Sequence, residues 1–139
     1  MLVRLLYVSQ PVGPITTAVT SSILSLSSQF NKQEKITGVL CQGSGMYMQV
    51  LEGERSKVNR LMKKIMADQR HEHLELLSME DITQRQFGQW SMTLVHLSKD
   101  DPMVKEGHPE FDPYSASSSD AMKLINSLIK AGVPIDKAR

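Results

Sequence analysis

The sequence predicts a single α+β domain in which two helices pack on one face of a β-sheet. Three observations support this prediction. Five short apolar segments have the composition of strands, two longer segments between them show helical spacing, and 139 residues suit one compact domain. Hydrophobic residues make up 40% of the chain, enough for a core that needs no disulfide to hold it together.

The first predicted element is a strand from Leu2 to Ser9, whose aliphatic and aromatic side chains are interrupted by one charge. So dense an apolar segment favours a central strand over an edge strand. Pro11, Gly13 and Pro14 end it. Apolar residues then recur every three or four positions, which predicts an amphipathic helix to about Phe30. These apolar residues are Ile15, Val19, Ile23, Leu26 and Phe30.

A β-hairpin and a second helix are predicted next. Residues 36–42 and 46–52 form the two strands, joined through Gly43, Ser44 and Gly45, residue types that accept the backbone of a tight turn. After this hairpin the apolar positions return to helical spacing, with lysine and arginine side chains outside. The apolar stripe of this helix consists of Val58, Leu61, Met62, Ile65 and Met66.

Residues 74–80 and 90–97 are the last two predicted strands. The resulting order βαββαββ, with hairpins between strands that no helix separates, predicts a ferredoxin-like sandwich. Both helices then cover one face of a mixed five-stranded sheet. We expect residues 1–98 to form this domain.

Residues 99–139 are predicted to be a C-terminal extension. Its proline-containing first part should be irregular, and residues 117–131 should be helical, with Ser117 and Asp120 as a capping box. This helix has an apolar stripe that could pack on the open face of the sheet or against a second subunit. The stripe consists of Met122, Ile125, Leu128 and Ile129.

Composition excludes several classes of function. The formal charge of +1 is far from the strongly basic balance of nucleic-acid-binding proteins, so no nucleic-acid partner is expected. One cysteine, Cys41, allows no intramolecular disulfide and favours a reducing cytoplasm. The chain shows no signal peptide and no apolar segment of about 18 residues that would span a membrane.

Catalytic and metal-binding motifs are not found. The segment HEHLE, residues 71–75, lacks the ligand spacing of a zinc site, and GSG at residues 43–45 lacks the lysine of a phosphate-binding loop. No serine, cysteine or threonine stands in a nucleophile motif. We therefore predict that the chain is not an enzyme and binds no metal.

Polar or redox-capable side chains stand at positions where the pattern predicts core: Tyr7, Asn31, Gln49, Trp90 and Met92. Each has an ordinary explanation by itself. The two aromatic residues could be amphipathic core residues, the asparagine a helix C-cap, and the glutamine a polar residue of an edge strand.

Five segments occur together in a fixed order: RLLYVS, then N with ITGVL, then MYMQVLEG, DQRH and WSM. Over residues 2–97 the chain resembles the BLUF family of flavin-binding blue-light photoreceptors, and within it the short, stand-alone members. The resemblance implies noncovalently bound FAD, with its isoalloxazine ring between the two helices and the sheet. It places eight residues at the cofactor: Tyr7, Ile23, Ser27, Asn31, Gln49, Arg70, His71 and Met92.

The resemblance also implies a photochemical mechanism that involves Tyr7, Gln49, Trp90 and Met92. Light moves an electron and a proton from Tyr7 to the flavin, and Gln49 rotates or tautomerises before they return. The rearranged hydrogen bonds are expected to signal through strand five and the C-terminal helix. A separate downstream signalling protein and self-association are expected with it.

Two other functions remain open. A ferredoxin-like small-ligand-binding or acylphosphatase-like module without photochemistry would share the predicted architecture, because that fold hosts many functions. A flavin-dependent reductase is disfavoured, because the sequence has no GxGxxG nicotinamide fingerprint.

Overall fold

A computed structural model describes residues 1–13, 29–43, 45–88, 92–96, 114–115 and 117–131. Most of the first predicted helix and most of the predicted irregular tail lie outside the described residues. The strands are β1 (Leu2–Pro11), β2 (Thr37–Gly43), β3 (Met46–Glu54), β4 (His71–Asp81) and β5 (Thr93–His96).

The five strands form one sheet in the order β4-β1-β3-β2-β5. Strands β2 and β5 pair in parallel, and the other neighbours pair antiparallel. This arrangement confirms the predicted α+β class with a mixed five-stranded sheet. The predicted hairpin between β2 and β3 is also confirmed, and Gly45 in its turn has a positive φ of 75°, which glycine adopts without strain.

The expected hairpin between the last two strands is wrong. Strand β4 pairs with β1 at one edge of the sheet, and β5 pairs with β2 at the opposite edge. Their connection therefore crosses the sheet instead of turning back. Strand β4 also begins at His71, three residues before the predicted start at Leu74.

The described helical segments are α1 (residues 29–34), α2 (Arg55–Ala67) and α3 (Ser118–Ala131). Helix α2 follows the prediction, except that Met66 at its end is 58% exposed because the apolar stripe has turned toward solvent there. Helix α1 continues past Phe30. Asn31 therefore lies inside a helix and is not its C-cap.

The sheet has a separate apolar core on each face. Side chains of one face pack with α2, and those of the other pack with α3. The C-terminal helix thus packs on the face that α2 leaves open, which is one of the two packing partners that the sequence allowed. Among the side chains of residues 118–127, those buried in α3 are Ala121, Leu124 and Ile125. The backbone N–H of Asp120 donates to Ser117 Oγ at 3.1 Å, which is one of the two hydrogen bonds of the predicted capping box.

Among the described residues, no helix is both long and apolar enough to cross a membrane. Within the same part of the chain, no three histidine, cysteine, aspartate or glutamate side chains cluster as metal ligands would. Cys41 is buried in β2.

Candidate functional site

A cavity of about 560 Å³, part of it open to solvent, lies between the sheet and α2. Strands β1, β2 and β3, helix α2, the segment that follows α2, the first residue of β4 and Asn31 of α1 all contribute to its wall. The described lining residues are Tyr7, Asn31, Leu40, Tyr47, Gln49, Leu61, Ile65, Asp68, Arg70 and His71.

Tyr7 and Gln49 form the central polar pair of this wall. They are direct partners in the antiparallel register of β1 and β3, and both side chains point to the α2 face. Only 4% of Tyr7 and 5% of Gln49 are exposed. The Tyr7 hydroxyl donates a buried hydrogen bond to Gln49 Oε1. The register of two adjacent strands therefore fixes this contact.

The pKa of Tyr7 is raised above its usual value, mainly because burial disfavours the phenolate and secondarily because of the Asp68 charge. The phenol therefore keeps its proton throughout the neutral range. Its hydrogen bond to an amide oxygen provides a route along which that proton can leave when an electron is removed.

The other end of the Gln49 amide contacts Met92, immediately before β5. Gln49 Nε2 donates to Met92 Sδ at 3.4 Å, and Met92 is fully buried. A thioether accepts hydrogen bonds weakly and cannot donate one. The contact therefore depends on which end of the amide faces the sulfur.

The cavity wall combines a second amide with apolar side chains. Asn31 is fully buried and lies in the wall. Leu40 of β2 and Leu61 and Ile65 of α2 supply aliphatic surface. A flat heteroaromatic ring with polar edges suits such a site, because the aliphatic surfaces contact its faces and the amides offer both donors and acceptors.

A partly exposed ion pair lies between α2 and β4. The guanidinium of Arg70 binds the Asp68 carboxylate through Nε, at 3.0 Å to each oxygen, and through Nη2 at 2.6 Å. The hydrogen bonds from Arg70 lower the pKa of Asp68, and the Asp68 carboxylate raises the pKa of Arg70. The Arg70 guanidinium thus lies at the cavity as one member of an ion pair.

His71 connects three elements at the start of β4. Its Nε2–H donates to the backbone oxygen of Ile65 in α2, which can only accept. In the neutral ring, Nδ1 then accepts a hydrogen bond from Ser9 Oγ of β1 at 2.8 Å. The ring also lies edge-on to Tyr7, with centroids 6.3 Å apart. His71 therefore has structural partners beside the cavity.

The structure brings most of the predicted site residues together. Tyr7, Asn31, Gln49, Arg70 and His71 line one cavity, and Met92 binds Gln49. The interpretation of Gln49 as an edge-strand residue is wrong, because β3 is the central strand of the sheet. Three predicted site residues, Ile23, Ser27 and Trp90, lie outside the described residues.

Sequence reasoning missed two polar residues of the wall. Tyr47 lies two positions before Gln49 in β3, so the alternation of a strand was a signal that both share a face. Burial raises the pKa of Tyr47. Asp68 stands two positions before Arg70 in the DQRH segment and binds that arginine, but no pattern in the sequence singles it out.

Comparison with known proteins agrees with this geometry. A family model described as sensors of blue light using FAD matches residues 2–93. The chain is 31% identical over 93 residues to the photoactivated adenylate cyclase subunit beta of Euglena gracilis, and 34% identical over 87 residues to its subunit alpha. These matches cover 66% and 63% of this chain but only 11% and 8% of the cyclase subunits.

Two solved structures match this chain over nearly the full length of both proteins. The photo-activated state of BlsA is 29% identical with a TM-score of 0.82, covering 100% of this chain and 99% of that one. The dark state of BlrB, a BLUF protein, is 28% identical with a TM-score of 0.76, and the match covers 95% of this chain and 97% of that one. The family match over residues 2–93, together with the Tyr7–Gln49 pair at a cavity, places this chain in the BLUF family of blue-light sensors.

Proposed function

We propose that this chain is a blue-light photoreceptor that binds FAD noncovalently in the cavity between the sheet and α2. The buried hydrogen bond from Tyr7 to Gln49 carries the proposal, since it joins a phenol to an amide at the wall of a cavity in a blue-light sensor. The family description favours FAD over FMN.

The described residues fit a flavin in their chemistry. Asn31 and Gln49 would hold the polar edge of the ring, since each amide both donates and accepts. Arg70 and His71 would lie near the flavin's other polar edge, where Arg70 offers a cation. Ile23 and Ser27, which the sequence predicts to be helical, are proposed to complete the site.

A bound flavin supplies absorption of blue light and, once excited, accepts an electron. Tyr7 is the proposed donor, because its hydroxyl keeps a proton that can move along the bond to Gln49 as the electron leaves. Electron and proton then return to Tyr7, so the sequence of steps ends without net reaction. The lasting change is the orientation or tautomer of the Gln49 amide.

Rotation of this amide would break its contact with Met92. In the described orientation Nε2 donates to the sulfur of Met92. After rotation Oε1 would face the sulfur, and neither atom could donate. The loss of this bond is the proposed signal to β5, and Trp90 is proposed to take part in it together with Met92.

The output is proposed to pass from a photoreceptor domain of residues 1–98 to an extension of residues 99–139. Helix α3 in that extension packs on the sheet face opposite the cavity, where a change in β5 would reach it. We propose that a separate signalling protein reads this change, that the chain self-associates in the cytoplasm, and that it catalyses no reaction.

The alternative is a ferredoxin-like small-ligand-binding or acylphosphatase-like module without flavin. The family match and the pairing of a buried phenol with a buried amide favour the photoreceptor.

Absorption spectra of the purified protein with FAD, before and after blue illumination, separate these two functions. The proposal expects a flavin spectrum that shifts slightly to the red in light and recovers in darkness. A protein that is colourless and does not bind added FAD would support the alternative. Flavin binding without any reversible shift would also contradict the proposal.

A further inference from the structure

Glu52 is a buried carboxylate in β3, three residues after Gln49 but on the opposite face of the sheet. The alternation along β3 places it on the same face as Val50, which packs in the core with α3. Its exposed fraction is 0%. A carboxylate is rarely buried so completely unless several donors compensate for the lost water.

The donors to Glu52 come from β1 and from the segment after β4. Arg4 Nε and Nη2 each lie 2.9 Å from Glu52 Oε2. The backbone N–H of Gln86 donates to Oε2 at 3.1 Å, and that of Phe87 donates to Oε1 at 2.7 Å. The carboxylate therefore holds residues 86–87 against the central strand.

Arg85 adds further hydrogen bonds that hold the segment after β4 on the sheet. Its Nη1 donates to the backbone oxygen of Glu52 at 2.9 Å and to Thr37 Oγ1 at 3.0 Å. Thr37 is the register partner of Glu52 in β2. Three consecutive residues, 85–87, are thus anchored at one position of β3.

The anchored segment in turn contacts α3. Gln86 Nε2 donates to Asn126 Oδ1 at 2.8 Å. Phe87 is buried in the core cluster that contains Leu124 and Ile125. A continuous chain of contacts therefore runs from β3 through residues 85–87 to α3.

We propose that Glu52 is a positioning residue that couples the strand carrying Gln49 to helix α3. It holds residues 85–87 on β3, and these residues hold α3. A displacement of β3 at Gln49 therefore reaches α3 through Glu52, in addition to the route through Met92 and β5. The light-dependent part of this inference rests on the proposed function, whereas the anchoring of α3 in the dark does not.

The variant Glu52→Gln tests the coupling while keeping the side-chain volume. Only one atom of the new amide can accept, so the NH₂ group must face either the Arg4 guanidinium or the N–H of Phe87. Glu80→Gln is the matched control. Glu80 also binds Arg4, at 3.4 Å, but its side chain is 59% exposed and contacts neither residues 85–87 nor α3 in any described bond.

The measurement is backbone hydrogen exchange of the FAD-loaded protein in darkness and under blue light, with the flavin spectrum recorded on the same samples. In Glu52→Gln we expect exchange in residues 118–126 to be about tenfold faster in the dark, because charge-assisted hydrogen bonds are lost. We also expect the light-induced difference in that segment to become smaller, because only the route through Met92 and β5 is left, while the red shift of the flavin remains. The Glu80→Gln protein should match the original chain in every readout.

Unchanged exchange in residues 118–126 of Glu52→Gln, with the light-induced difference retained, would overturn the proposal. Absence of a red shift in the original chain would instead overturn the photoreceptor function, and the dark comparison would still decide whether Glu52 anchors α3.

If Glu52→Gln does not fold, Arg85→Ala replaces it, because this variant loosens the same segment without leaving a buried carboxylate unpaired. Faster exchange in residues 118–126 with an unchanged red shift would then support the coupling. Unchanged exchange in that segment would overturn it.

Discussion

Replacement of Tyr7 by phenylalanine removes one hydroxyl and leaves the ring in place. The lost group is the donor to Gln49 Oε1, and both side chains are buried. Leaving a buried acceptor without its donor costs about 1–3 kcal/mol in the free energy of unfolding. At roughly 4 °C per kcal/mol for a chain of this size, we expect Tm to fall by roughly 4–12 °C.

The photochemical effect of Tyr7→Phe should be much larger than its effect on stability. Phenylalanine has no proton to release and is a far weaker electron donor, so the proposed sequence of steps cannot begin. The variant should bind FAD and show a normal flavin spectrum in darkness, but it should lose the light-induced red shift. The assay is flavin absorbance before and after illumination, together with thermal unfolding followed by circular dichroism.

Tyr114→Phe is the matched control for Tyr7→Phe. The Tyr114 hydroxyl also donates one hydrogen bond, to the backbone oxygen of His73 at 2.7 Å, but it does not line the cavity. This variant should keep the full red shift. A full red shift in Tyr7→Phe would refute the assignment of Tyr7 as the donor.

Three further predictions follow from the contacts of Met92, Asp68 and Ser117. Met92→Leu removes the sulfur acceptor of Gln49 with little change in volume, so stability should change by less than about 1.5 kcal/mol. The red shift should remain, but the light-induced change in hydrogen exchange of β5 should be lost. Asp68→Asn should lower Tm at pH 7, and this difference should shrink toward pH 3. The reason is that folding lowers the pKa of the Asp68 carboxyl group, which stabilises the folded state at pH values above the pKa of about 3.9 in the unfolded chain. This stabilisation is lost as the pH falls through the pKa that Asp68 has in the folded protein. Ser117→Ala should cost about 1 kcal/mol in chemical denaturation by removing the N-cap of α3.

Each of these predictions has an outcome that contradicts it. A Met92→Leu protein with an undiminished light response in β5 would remove the sulfur contact from the signalling route. A Tm difference for Asp68→Asn that stays constant from pH 7 to pH 3 would show that the ion pair contributes no stability. Ser119→Ala, at an exposed position of the same helix, is the control for Ser117→Ala, and equal losses in both would contradict the capping role.

The elements of this fold were predictable where side chains alternate between core and solvent at a clear period. Strand β1 was predictable instead from its density of apolar residues, whereas helix α2 is of this kind. Strand β4 is not, because it is an edge strand with most side chains partly or fully exposed, and its first residues therefore resembled a polar connection. Local periodicity shows which face a side chain occupies but not which strand lies beside it. The parallel pairing of β2 with β5 could therefore not be predicted from it.

The candidate site was predictable only in part for a related reason. Tyr7 and Gln49 stand out as polar residues at positions predicted to be core, but their roles followed only from the resemblance to the BLUF family. Their direct contact depends on the register of β1 with β3, which no local pattern encodes. The positioning role of Glu52 was invisible for the same reason, since its partners lie 34 and 35 residues further along the chain.

The exchange of hydrogen-bonding partners by the Gln49 amide is tested most directly by infrared difference spectroscopy. Protein labelled with ¹³C in the glutamine side chains would be compared before and after blue illumination, and Gln49→Leu would identify which band belongs to Gln49. We predict that the side-chain carbonyl band of Gln49 shifts in the light and returns in darkness, because its oxygen no longer accepts from Tyr7. A flavin red shift that forms and decays with no change in that band would contradict the mechanism.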